Sequence, residues 1–156
     1  MGQRRRAREA ALQALYEIDL NPDLTPQQAL AHVFETFGRA QSEQAEHGRR
    51  VELPPADEAE LRRFATHLVA GVRAAHAEID AVLTKASTHW RLERMAAVDR
   101  NLLRLAIYEL LHEHAIPLSV TIDEAVEIAK RFGTEESSAF INGVLHRIAG
   151  ETGRKE

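Results

Sequence analysis

The chain has 156 residues, no cysteine, 28% charged residues and a net charge of −4. This length fits one domain with a sizeable core, and a chain without cysteine excludes disulfides, thiolate chemistry and Cys-ligated zinc. The first twenty residues lack the apolar core of a secretory signal, and every apolar run is far shorter than the ~20 residues that span a bilayer, so we predict a cytoplasmic protein without membrane contact.

The charge is unevenly distributed along the chain. Residues 1–8 hold four arginines and no acidic residue, so a net charge of −4 leaves −8 on residues 9–156. We interpret this as a basic arm, residues 1–8, on an acidic body. Such an asymmetry indicates two different kinds of partner.

Helical periodicity dominates the sequence and predicts an all-α fold. The first helix is predicted from about residue 4 to residue 20, ending at Asn21-Pro22. The second begins with Thr25 as N-cap and Pro26 at the first helical position. We predict that Gly38 ends it.

The middle of the chain is predicted to hold a loop and then a long helix. Residues 39–56 lack sustained periodicity and end in Pro54-Pro55, so we predict an exposed acidic loop within the domain, with a short helix inside it as an alternative. One apolar stripe then runs over residues 57–86 and predicts a single helix. Gly71 inside this stripe indicates a close helix crossing.

The C-terminal half predicts three more helices. The segment 98–111 is apolar on more than one face, which is typical of a central helix buried on several sides. Thr121 and Glu124 are spaced as a capping box that starts the next helix, which ends at Gly133. The last helix is predicted over residues 137–149. Together the elements predict two small helical bundles that share the central buried helix.

The sequence offers no motif for catalysis or for a cofactor. Neither common phosphate-binding loop occurs. Glu109 and His112 match half of a di-iron pair, but no other histidine follows a glutamate at that spacing, and His112 and His114 are two residues apart and cannot face one site. We therefore predict a protein that binds, with no enzyme activity, metal or cofactor.

Two features indicate RNA binding. Guanidinium groups at the start of a helix grip phosphates and oppose the helix dipole unless an anion binds, although a solvated helix end is the alternative. These groups belong to Arg4, Arg5, Arg6 and Arg8. Tyr16 and Phe140 offer rings for stacking on unpaired bases, with core packing as the alternative.

Linked motifs in the chain resemble a known family. They are VDRNLLRLAIYEL at 98–110, Ile116-Pro117, IDEAVEIAKRFG at 122–133, FINGVL at 140–145 and, near the start, RRRAREAALQALY at 4–16. In this order they resemble the NusB family of transcription antitermination factors. The resemblance covers essentially the whole chain and is weakest over residues 21–55.

The resemblance implies a NusB-like fold and a role beside the RNA polymerase elongation complex. The family binds the boxA segment of nascent single-stranded RNA together with NusE, a small-subunit ribosomal protein, and suppresses premature termination, chiefly in ribosomal RNA operons. By motif position, the residues assigned to RNA are Arg4, Arg5, Arg6, Arg8, Tyr16, Arg104 and Phe140. Glu93 and Asp99 are assigned to NusE, and an acidic body suits a basic ribosomal protein.

Two other functions remain open at this point. One is a NusB-like RNA-binding accessory domain of an RNA cytosine methyltransferase, which requires the chain to be a fragment because no strand-rich cofactor domain follows before Glu156. The other is a helical adaptor that binds protein only. RNA binding that disappears when the arginines are removed would exclude the adaptor.

Overall fold

The computed structural model describes residues 2–46 and 55–154. Within these ranges all regular structure is helical, which confirms the predicted all-α class. The chain clusters into two compact units, Met1–Ala70 and Gly71–Glu156, and the assignment of the whole chain to one domain stays a prediction. Among the described helices, none combines the length and the apolar character that a membrane span requires.

The described residues form seven α-helices and one short 3-10 helix. In chain order they are α1 (Gln3–Leu20), α2 (Pro26–Glu46), α3 (Pro55–Ala74), α4 (His76–Ala86), the 3-10 helix (Leu92–Arg94), α5 (Ala97–His112), α6 (Leu118–Phe132) and α7 (Ser137–Glu151).

In the first unit, α1 packs against α2. The buried side of α1 carries Leu12, Leu15 and Ile18, and the helix ends at Leu20 as predicted. Thr25 and Gln28 cap the start of α2 reciprocally: the Thr25 amide donates to Gln28 Oε1 (2.9 Å) and the Gln28 amide donates to Thr25 Oγ1 (3.1 Å). This confirms Thr25 as the N-cap, and Gln28 completes a capping box.

The end predicted for the second helix is wrong, because α2 passes Gly38 and continues to Glu46. A glycine within a helix costs only about 1 kcal/mol relative to alanine, and the Ala, Gln and Glu residues that follow favour the helix. The loop predicted over residues 39–56 is therefore too long: residues 39–46 are helical and α3 begins at Pro55. Residues 47–54 of that loop lie outside the described residues.

The single helix predicted over residues 57–86 is two helices, because the backbone of Ala75 departs from helical geometry (φ −100°, ψ 17°) between α3 and α4. The chain keeps its hydrogen bonds across this break. The Ala75 amide donates to Gly71 O (3.0 Å), and the Ile79 amide donates to Ala75 O (2.9 Å). Such a break needs neither proline nor glycine, so no residue type in the sequence marks it.

In the second unit, α5 contacts α4, α6 and α7. Every residue from Asn101 to Leu110 is buried, which confirms the prediction of a helix buried on several sides. Arg154 closes the end of this helix, because its guanidinium donates to Leu110 O (2.7 Å) and Ile116 O (2.9 Å). The last helix lies where it was predicted, and extends two residues further.

The capping box predicted at Thr121 and Glu124 is wrong, because the N-cap of α6 is Pro117, four residues before Thr121. Proline holds φ near −65° and has no amide to leave unpaired, so it suits a helix start. Thr121 lies inside the helix and is buried, and its hydroxyl donates to Glu109 Oε1 (3.4 Å). The helix ends before Gly133, as predicted.

The crossing predicted at Gly71 exists, and its neighbour is the ring of Tyr108. A Cβ at Gly71 would lie 2.2 Å from Tyr108 Cζ. The ring is not free to withdraw, because it is buried and its hydroxyl donates to Glu113 Oε1 (3.0 Å). Burial and this hydrogen bond raise the pKa of Tyr108 to about 12.

We expect Gly71→Ala to lower the free energy of unfolding by about 1–3 kcal/mol, since the added methyl overpacks the crossing. Urea unfolding measures the loss. Tyr108→Leu in the same chain should recover part of it by removing the atoms that the methyl meets. Gly143→Ala is the matched control: a Cβ there meets nothing within 4 Å, so this variant should be as stable as the parent or up to about 1 kcal/mol more stable. Equal effects of the two alanines would contradict the crossing.

Candidate nucleic-acid interface

The basic arm continues into the first turns of α1, where two of its arginines lie over the ring of Phe64. The guanidinium carbon of Arg4 is 4.0 Å from the ring centroid and that of Arg8 is 5.6 Å away. Cation–π attraction of this kind orients a guanidinium while leaving its charge in place. Arg4 is exposed, whereas Arg8 is only 4% exposed. Arg4 is therefore much the more accessible cation of this pair.

The electrostatics at the start of α1 favour an anion. The first turn contains no acidic residue, so the arginines add to the positive end of the helix dipole. Arg5 and Arg6 are half-buried. Nearby on α3, a hydrogen bond from Arg63 (2.8 Å), the charge of Arg63 and, more weakly, the charge of Arg4 lower the pKa of Glu60.

Tyr16 lies on α1 with 36% of its surface exposed. Its neighbours along the buried side of the helix, Leu12 and Leu15, are almost fully covered. The ring of Tyr16 is thus accessible to a ligand, as stacking on an unpaired base requires.

In the second unit, Trp90 and Phe140 form an aromatic pair. Their ring centroids are 6.2 Å apart with an interplanar angle of 70°, an edge-to-face arrangement. Trp90 is 58% exposed, and Phe140, at the start of α7, is half-buried. The pair is an aromatic surface on which the ring of Trp90 is open to a ligand.

A cavity of about 190 Å³, which we call the Asp99 cavity, adjoins this pair. Its lining includes Asp99, Phe140, Arg94, Glu136 and Ser137. Within the part of the chain that the structure describes, Asp99 Oδ1 is buried without a hydrogen-bond partner. An unpaired buried carboxylate oxygen is costly, so a partner that brings a hydrogen-bond donor to Asp99 would be favoured.

The other residue assigned to a protein partner, Glu93, lies in the 3-10 helix and is exposed. Asp99 lies in the first turn of α5, where the helix dipole stabilises a carboxylate. The two acidic residues therefore differ in surroundings: one is solvated, and the other has an oxygen withdrawn from water.

Arg104 is held within the second unit. Its Nε donates to Asp80 Oδ1 (2.8 Å), a terminal nitrogen donates to Asp80 Oδ2 (3.1 Å), and the other donates to Asn101 Oδ1 (3.3 Å). The side chain of Arg104 is 10% exposed. This bidentate pair joins α4 to α5, and a contact of Arg104 with RNA stays a prediction.

Two residues of these surfaces were not singled out from the sequence. Phe64 belongs to the apolar stripe of the predicted long helix, and Trp90 lies in a junction between helices. The sequence pattern around Phe64 does not show that its ring lies under a guanidinium, and the pattern around Trp90 does not show that its ring is exposed. Both patterns are also typical of ordinary core packing.

Among the described residues, no group of three His, Asp or Glu side chains is arranged to hold a metal ion.

Comparison with known proteins identifies the NusB family. The model of the NusB family matches residues 5–150. The chain is 46% identical over 154 residues to the transcription antitermination protein NusB of Sorangium cellulosum, covering 99% of this chain and 96% of that protein. It is 44% identical over 149 residues to the protein of the same name from Myxococcus xanthus, covering 96% of each.

Solved structures are similar over nearly the full length. NusB of T. maritima superposes with a TM-score of 0.78 at 37% identity, covering 97% of this chain and 93% of that one. A crystal structure of the antitermination factors NusB and NusE in complex with double-stranded RNA has a chain that superposes with a TM-score of 0.75 at 25% identity, covering 97% and 98%.

Proposed function

Because this chain belongs to the NusB family, we propose that it is a transcription antitermination factor that binds boxA-type single-stranded RNA together with NusE. In this role it suppresses premature termination beside RNA polymerase, chiefly in ribosomal RNA operons, and it works in the cytoplasm by binding, without catalysis. The observation that carries the proposal is the match to relatives named as NusB antitermination proteins over 96% of their own length.

The geometry of the first unit supports RNA binding. Arg4 is an exposed guanidinium at the start of a helix that has no acidic residue in its first turn, which is a favourable place for a phosphate. Tyr16 on the same helix has an exposed ring. In the second unit, Phe140 borders an open aromatic surface. Phosphate contacts and base stacking together are the usual means of holding an unpaired strand.

The Asp99 cavity supports the protein partner. A ribosomal protein is rich in basic side chains, and Asp99, a carboxylate that lines the cavity and has one oxygen without a partner among the described residues, matches a Lys or Arg of such a protein. Glu93, exposed in the 3-10 helix, suits a contact at the rim, where charge changes the association rate more than the affinity.

The alternative of a methyltransferase accessory domain has less support, because the relatives are covered almost entirely and are named as antitermination proteins. The adaptor that binds protein only is separated from our proposal by one experiment. The chain, NusE and a boxA RNA are mixed and analysed by size-exclusion chromatography with light scattering. We expect one ternary complex that withstands dilution better than either binary complex, because two weak contacts joined in one site raise the effective concentration. A complex of chain and NusE that leaves the RNA behind would support the adaptor.

Replacing Arg4, Arg5 and Arg6 together by glutamine tests the basic arm without removing the buried residues Ala7 and Arg8. If the three arginines contact phosphates, the slope of log affinity for single-stranded RNA against log salt concentration should become shallower by about 2, at roughly 0.7 per lost contact. Fluorescence anisotropy at several salt concentrations measures the slope.

The control removes the same charge elsewhere, with Arg62, Arg73 and Lys130 replaced by glutamine on exposed positions of α3 and α6. We expect this control to keep nearly the parent slope. The same slope in both triple variants would mean that the basic arm attracts RNA only through net charge.

A further inference from the structure

A second cavity, of about 270 Å³, lies beside Trp90 and Phe140 and is distinct from the Asp99 cavity. We call it the Trp90 cavity, and its lining includes Trp90, Phe140, His89, Gly143 and Arg147. The two rings also line the Asp99 cavity, so the two cavities are neighbours along one surface. A volume just below the roughly 300–1,000 Å³ of pockets for drug-sized ligands suits one small planar group.

The packing of the described residues does not explain why Trp90 is exposed. It is the only tryptophan in the chain and is 58% exposed, although indole is among the largest apolar groups in proteins. Phe140 contacts it edge-to-face, an arrangement that favours this position of the indole and leaves ring surface open. An indole held in this way is a stacking platform for another flat ring.

Gly143 is an independent sign of a ligand. It lies in the interior of α7, where glycine costs about 1 kcal/mol relative to alanine. At Gly71 and Gly133 a Cβ would collide with a neighbour, but at Gly143 it meets nothing within 4 Å. No described neighbour therefore requires glycine here, and its effect is to keep this side of the Trp90 cavity clear.

Arg147 supplies a cation at the same cavity. One of its terminal nitrogens donates to Ala86 O (2.9 Å), which fixes the guanidinium between α7 and the end of α4. A guanidinium has five N–H donors, so this bond leaves it able to donate to a bound phosphate or base edge. The Trp90 cavity thus combines a flat ring, open space and a positioned cation.

We propose that the Trp90 cavity is a second base-binding pocket, in which an unpaired nucleobase stacks on Trp90 and its edge or phosphate accepts a hydrogen bond from Arg147. The inference rests on the proposed function, since the base belongs to the RNA strand that passes Phe140. We choose a nucleobase as the occupant because the ring of Trp90 and the size of the cavity match a flat group. The guanidinium of Arg147 matches the phosphate that is attached to such a base.

The first test uses Trp90 as its own reporter. Titration of the free chain with a single-stranded boxA RNA should quench the tryptophan fluorescence, because a stacked base contacts the indole directly. Trp90→Ala should weaken RNA binding between about 5-fold and about 150-fold, the range for losing one base stack, and Trp90→Phe should restore most of the affinity.

The second test closes the cavity without removing an existing contact. Gly143→Leu should fold normally and weaken RNA binding by a similar factor, whereas Gly150→Leu should bind like the parent, because Gly150 lies on the same helix outside the lining of the cavity and a Cβ there also meets nothing within 4 Å. An RNA with one abasic position should bind the parent more weakly when that position is the one in the pocket, and the Gly143→Leu variant should no longer sense that change.

Three results would overturn the pocket. Suppose that the parent binds RNA and that replacing the arginines of the basic arm weakens this binding. If Gly143→Leu then leaves RNA affinity unchanged, the proposed function stands and the pocket does not. If Gly143→Leu weakens NusE binding in the absence of RNA, the cavity holds a protein side chain instead. If the parent chain with NusE binds no RNA, the proposed function and the pocket fail together.

Discussion

Replacing Asp80 by alanine is expected to lower the free energy of unfolding by about 3 kcal/mol. Asp80 takes two hydrogen bonds from Arg104, whose side chain is 10% exposed. Removing the carboxylate takes two hydrogen bonds and the charge of Asp80 away from an almost buried guanidinium, and breaking a buried pair in this way typically costs about 3–5 kcal/mol. We place the effect at the lower end because Asp80 itself is 23% exposed. Urea unfolding measures it.

The control replaces both partners, Asp80→Leu with Arg104→Met, which removes the charges together. It should lose less stability than Asp80→Ala alone, since apolar groups of similar size leave no charge unpaired. A loss below 1 kcal/mol for Asp80→Ala would show that water compensates the arginine. The folded double variant also tests Arg104 as an RNA contact: if Arg104 binds a phosphate, its salt slope should be shallower than the parent's by about 0.7.

Replacing Asp99 by lysine is expected to weaken NusE binding by roughly 2–5 kcal/mol, the range for losing one partner of a buried charge pair. Asp99 lines the Asp99 cavity and one of its oxygens is buried without a hydrogen-bond partner among the described residues, so a cation that reached this carboxylate would bond to it largely away from water. A lysine there would repel that cation. Calorimetric titration of NusE into each variant measures the affinity.

Two controls separate this contact from general charge and from folding. Glu93→Lys makes the same change in net charge on an exposed residue, and should mainly slow association and raise its salt dependence. Asp99→Ala should leave the stability of the free chain nearly unchanged, because losing a favourable helix-dipole interaction offsets relief of the unpaired oxygen. Equal loss of NusE affinity for Glu93→Lys and Asp99→Lys would argue against a specific cavity contact.

Local patterns were sufficient to predict most helices. The stripes of α1 and α7 and the N-cap at Thr25 are short-range features, because a helix and its cap are decided within a few residues. The same local reasoning ended the second helix too early at Gly38 and started α6 too late at Thr121. Both errors concern helix boundaries, where the local preference is small and neighbouring structure decides.

The candidate interface divides in the same way. The four arginines and the acidic body are visible in the sequence, because charge and order along the chain do not depend on folding. The family is visible too, because its motifs are runs of neighbouring residues. These features sufficed to predict an RNA-binding factor with a basic protein partner.

Only the tertiary structure decided which of these side chains are accessible. In the structure Arg4 and Trp90 are exposed, whereas Arg8 is almost fully buried. Arg104 is paired with Asp80, and one oxygen of Asp99 has no hydrogen-bond donor among the described residues. Each of these outcomes depends on which residues from distant parts of the chain pack around a side chain. Burial and hydrogen bonding arise from that packing, so the sequence alone was enough to predict RNA binding, and the fold determined which of the predicted groups are accessible.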